Sequence, residues 1–189
     1  MSVSVSDLWL AILVTGLLSW VASAFIHMLF KYHNADYKGL SNEQGVSIAL
    51  AETSPSPGLY TLPYCSDMQA MAEEAMQKKF TEGPVAMVTI MPNGMPNMGK
   101  LLSQQIVFFI TGSFLIGYLA SISIVQSADH IMVFRQVFVA GFLTYGWAQI
   151  PISIWMGQPW ANCLRYLLDA LIYAAVAGAI FALLWPSLL

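Results

Sequence analysis

Charge is distributed along this chain in a way that permits few folds. Of its 7 Lys and Arg and 10 Asp and Glu residues, 12 fall between residues 31 and 100, and the other 119 residues share five. Four long stretches carry no charge: residues 8–30, 101–128, 136–164 and 170–189. A helix needs about 20 mostly apolar residues to cross a bilayer. The pattern therefore predicts four transmembrane helices, at about 8–30, 102–126, 132–156 and 164–186. The fold class is all-α, a polytopic membrane protein with a segment of polar character between helices 1 and 2.

Composition agrees. Charged residues make up only 9 % of the 189 residues and hydrophobic ones 58 %. A soluble domain carries roughly a quarter charged residues, so a soluble globular enzyme is excluded. A net charge of −3 without a basic stripe argues against nucleic acid as a partner. Two cysteines cannot form a disulfide scaffold. The first apolar run lacks a basic leader and is long for a signal peptide, so it reads as a retained helix.

The chain reads as one membrane domain, 1–189, with residues 31–101 as an insertion that does not fold alone. Lys31, Lys38, Lys100 and Arg165 flank the membrane on the insertion's side, and Arg135 alone on the other. The positive-inside rule puts the insertion in the cytoplasm and both termini outside. Cys65 and Cys163 then face a reducing compartment as free thiols.

Within the insertion, Ser41 with Gln44 and Ser66 with Gln69 match capping boxes, which predicts helices near 42–52 and 67–80. The second is amphipathic, with Glu74 placed to pair with Lys78. Val85 to Met91 reads as extended, and Pro92-Asn93-Gly94 breaks it. Met91, Met95 and Met98 have thioethers that suit Cu(I), although methionine more often fills apolar gaps.

Polar residues in the spans are few. Ala170, Ala174, Gly178 and Ala182 repeat every four positions and make a smooth stripe for helix packing. Arg165 and Asp169 lie one turn apart on one face and are expected to pair, since a carboxylate inside the membrane needs a partner. Gln104, Gln105, Gln136 and Gln149 can form interhelical hydrogen bonds, and Pro151 is expected to kink the third span. Trp147, Trp155, Trp160 and Trp185 sit where interfacial anchors do.

One cluster can carry chemistry. His27, His33, Asp36 and Tyr37 lie where the first helix leaves the membrane. On a continuous helix His27 and His33 would be about 9 Å apart along the axis and on different faces. They can share a metal only if the chain turns after Phe30. Imidazole and carboxylate suit transition metals, but the spacing matches no standard zinc pattern. The plainer alternative is a set of interfacial anchors. No Walker loop, His-Glu-x-x-His, Cys-x-x-Cys or Gly-x-Ser-x-Gly occurs, and His27 and His130 belong at opposite ends, which argues against a bis-histidine haem.

Two stretches, Trp20 through Asp36-Tyr37 and Gly83-Pro84-Val85 through Met91-Pro92-Asn93-Gly94 to Lys100, resemble those of a family of uncharacterised bacterial four-span integral membrane proteins. The resemblance implies a bacterial inner-membrane location and transfers no chemistry. The sequence thus leads to a non-enzymatic accessory or scaffold subunit that packs with itself or a larger membrane complex in the lipid bilayer. The alternative is a metal- or small-ion-handling membrane protein using the helix 1 cluster. No cofactor is predicted beyond a possible metal ion.

Overall fold

The computed structural model describes residues 3–186. Two compact units are present: Lys38–Met95, and the rest of the described chain, through Tyr37 and from Pro96. The expected insertion limits at 31 and 101 therefore move inward, because residues 31–37 and 96–101 belong with the membrane helices.

In the membrane unit, a 3-10 turn Val5–Leu8 leads into α1 (Trp9–Phe25), which ends in a π turn, Ile26–Phe30. α5 (Met98–Ser123), α6 (His130–Tyr145), α7 (Gln149–Met156) and α8 (Trp160–Leu183) complete it. Four segments are long and apolar enough to cross a membrane: Val5–Phe30, Met98–Ser123, His130–Met156 and Trp160–Leu183. The spans read from charge gaps are thus the observed helices, with ends displaced by a few residues. Side chains outside the charge-free runs set those ends. Asn97 Oδ1 accepts the Lys100 N–H at 3.0 Å to begin α5, and Asp129 Oδ1 accepts the Met132 N–H at 2.7 Å to begin α6.

The four long helices form a ring in the order α1, α5, α6, α8. Phe109, Ile116, Val133, Val137 and Phe181 are fully buried within it. Small residues permit the close approaches. Along the α6–α8 seam, Gly146 faces Ala170, Gly141 faces Ala174 and Phe134 faces Gly178, and His130 Nδ1 reaches the carbonyl of Ala182. The stripe found in the sequence is therefore used within the chain, against α6. α1 carries a comparable stripe of buried small residues, Ala11, Thr15, Ser19 and Ser23, which the sequence analysis did not single out.

One expectation is sharpened and one corrected. The third span breaks at residues 146–148, before Pro151. Pro151 is then the third residue of α7, in a first turn where a missing N–H costs nothing. Trp185 is buried against the core, not directed outward, while Trp147, Trp155 and Trp160 are exposed.

The other unit contains α2 (Glu43–Thr53), β1 (Gly58–Leu62), α3 (Met68–Ala72), α4 (Glu74–Glu82) and β2 (Ala86–Ile90). The strands form an antiparallel hairpin, Gly58 opposite Ile90 and Leu62 opposite Ala86. β1 was not foreseen. The helices begin at Asn42 and Asp67, one residue after the serines of the expected capping boxes: Asn42 Oδ1 accepts the Gly45 N–H at 3.0 Å and Asp67 Oδ1 the Ala70 N–H at 2.7 Å. The expected 67–80 helix is two, since Glu73 is extended. Lys78 pairs with Glu82 at 3.7 Å. Cys65 and Cys163 are both free thiols.

Candidate functional site at the exit of the first span

The chain reverses sharply after the π turn. Lys31 takes a left-handed conformation, φ 53°, and its carbonyl accepts the Asn34 N–H at 3.0 Å. A 3-10 turn, Tyr32–Asp36, follows. This reversal folds His33 back onto His27. Their rings stack with centroids 4.7 Å apart.

The reversal also brings the segment against the first turns of α8. His33, only 6 % exposed, lies between two carboxylates. Its Nδ1 is 2.6 Å from Asp36 Oδ2 and its Nε2 is 2.9 Å from Asp169 Oδ2. Each contact requires one proton, since two bare lone pairs repel. Asp169 is buried as well and also accepts a hydrogen bond from the Tyr32 hydroxyl. Burial, and then this bond to a carboxylate, raise the Tyr32 pKa well above its ordinary value of 10.0. Arg165 Nη1 donates to Asp36 Oδ1, and the Asn162 amide donates to the Asp36 carbonyl at 3.3 Å.

Arg165 and Asp169, expected to pair with each other, are each bonded to the 32–36 turn instead: Arg165 to Asp36, Asp169 to His33 and Tyr32. Among the described residues no ion pair joins them. Of the four residues proposed at the helix exit, His27, His33 and Asp36 come together. Tyr37 is 77 % exposed and makes no part of the cluster's core. Tyr32 takes the place expected of it. Its position one residue before His33 was the available signal, and a hydroxyl flanking a buried histidine is a weak one.

The donor set has the character of a metal site. One ligand atom each from His27, His33 and Asp169 lie within 4.8 Å of one another. His27 Nδ1 is 2.9 Å from the Ser23 carbonyl oxygen, and His33 Nδ1 is bound to Asp36. Such partners fix imidazole tautomers so that Nε2 carries the lone pair. A cavity of about 360 Å³ adjoins, lined by His27, Asp169, Gln105, Gln149, Tyr166 and aromatic walls that include Phe108. Thus Gln105 and Gln149 face a space beside the cluster. Comparison with known protein families, with curated proteins and with solved structures finds no match to this chain.

Proposed function

We propose that this multi-pass membrane protein handles a divalent transition-metal ion, held by Nε2 of His27, Nε2 of His33 and a carboxylate oxygen of Asp169. The observation that carries this reading is the convergence, within 4.8 Å, of one ligand atom from each of the three residues. Ligands at about 2.1 Å from one ion stand about 3.0–3.4 Å apart, so the 2.9 Å between His33 Nε2 and Asp169 Oδ2 is near the required separation. An ion there replaces the proton that now joins the two atoms. His27, which is exposed, closes the remaining gap.

Two imidazoles and one carboxylate suit zinc, iron(II) and manganese(II). Three protein ligands leave coordination positions open, and the adjoining cavity supplies room for water or a small anion. Asp36, backed by Arg165, orients His33 from outside the coordination sphere. The excess of Lys31, Lys100 and Arg165 at this end of the spans supports placing the site at the cytoplasmic side of the membrane.

An accessory or scaffold role loses support, because α6 occupies the small-residue stripe that would have served as its contact surface. The test is elemental analysis of detergent-purified protein beside His27→Ala and Asp169→Asn, each checked for its folded state by thermal melting. A near-stoichiometric ion present in the wild type and lost from both folded variants is the expected result. A wild type that retains no ion, even after exposure to zinc, manganese and iron(II), overturns the reading.

A further inference from the structure

Another cavity lies at the other end of the bundle. It is a groove of about 700 Å³, lined by α6 and the last turns of α5. Its character changes along its length. Asp129, Ile131, Met132, Arg135 and Gln136 line one end, and Val139, Ala140 and Leu143 line the part that runs on toward the C-terminal end of α6. From Arg135 to Leu143 the helix rises about 12 Å. A cation and an amide thus sit above an apolar channel about ten methylene groups long.

Arg135 is the residue that needs explaining. It lies about 7.5 Å beyond the first residue of its helix, inside a candidate span. A charge at such a depth is costly unless it is paired or reaches water. Arg165, the other arginine of the spans, has Asp36. Arg135 takes part in no ion pair among the described residues. Asp129, the acidic residue of the groove, directs Oδ1 to the Met132 N–H and so caps the helix. A counter-ion from outside the chain would have to be anionic at Arg135 and apolar below.

We propose that this groove binds an anionic phospholipid, with its phosphate on the Arg135 guanidinium and the Gln136 amide, and one acyl chain along Val139, Ala140 and Leu143. A planar guanidinium matches phosphate oxygens with paired hydrogen bonds. On the side of Arg135 and Gln136 that runs along the helix, the α6 lining is apolar, as a lipid is below its phosphate.

Native mass spectrometry of the full chain, delipidated and then titrated with phosphatidylglycerol or with diacylglycerol, which has the acyl chains without the phosphate, tests this. The wild type retains phosphatidylglycerol about tenfold more strongly than diacylglycerol, the size of one charge-assisted contact. Arg135→Gln abolishes the preference and Arg135→Lys keeps most of it, which separates loss of charge from loss of fold. Leu143→Trp, which fills the channel, weakens retention of both lipids. Equal retention of the two lipids by the wild type, or an undiminished preference in a folded Arg135→Gln protein, overturns the proposal. Unchanged retention in Leu143→Trp overturns the placement of the chain.

Discussion

The imidazole rings of His27 and His33 lie in planes that differ by 1°, with centroids 4.7 Å apart. Parallel planes share no point, and an imidazole nitrogen offers its lone pair in the plane of its ring. The two histidines therefore cannot both coordinate one ion without a rotation. His33 is held by a carboxylate at each nitrogen. His27 has one bond, to Ser23, and is exposed. The ring that turns is His27. Tight binding then depends on its freedom, which ties affinity to the single Nδ1 contact at the end of α1.

Asp36 orients His33 without belonging to the proposed ligand set, so Asp36→Asn is expected to weaken metal binding by about 10- to 100-fold while leaving one site per chain. Titration with zinc against a competing chelator measures this. An unchanged affinity removes Asp36 from the site.

Removing Arg165 leaves the buried Asp36 carboxylate without its cation. Arg165→Ala is expected to cost about 3 kcal/mol, and Arg165→Lys appreciably less. Thermal unfolding in detergent reads both. A melting temperature equal to that of the wild type in Arg165→Ala would show that the Arg165–Asp36 pair adds nothing to the bonds that His33, Tyr32 and Asn162 make.

A methyl group on Gly178 would sit 2.9 Å from Phe134 Cδ2 and 3.0 Å from the Phe134 carbonyl oxygen. The backbone atom cannot swing aside, so Gly178→Ala should lower stability by about 1–3 kcal/mol. Resistance to denaturing detergent is a suitable measure, and an unaltered bundle means that the α6–α8 seam is looser than described.

Asp67 caps α3, and the Ala70 N–H, followed by the Ser66 hydroxyl, holds its carboxyl below the usual value of 3.8. The folded state then binds its proton less readily than the unfolded chain. The stabilisation is present above that value and disappears as pH falls through the lowered one. The amide resonance of Ala70, followed by NMR from pH 6 to pH 2, should move with a midpoint below 3.8, and Asp67→Asn should remove the transition.

The spans were legible because charge is excluded from the bilayer and the gaps between charges are long. The site was half legible. His27, His33 and Asp36 stand out as polar residues at a helix exit, but their convergence depends on the reversal at Lys31. A lysine with φ 53° has none of the glycine, proline or asparagine that announces a turn. The partners of Asp169 were missed for a related reason. Spacing within one helix nominates Arg165, whereas the contacts made are to residues 136 and 137 positions earlier, and no local rule reports on those. The break of the third span at residues 146–148 was partly legible, since Gly146 lies in it and Pro151, one turn on, can give no N–H to the Trp147 carbonyl.

That sequence separation has a consequence for biosynthesis. His27, His33 and Asp36 leave the ribosome early, while Asp169 emerges only after three of the four spans. A partly made chain holds two histidines at the membrane boundary and no carboxylate from α8 to complete the set. If the proposed ligand set holds an ion, its capture waits until α8 has inserted and closed the ring, and a loaded centre would report that these four helices are assembled.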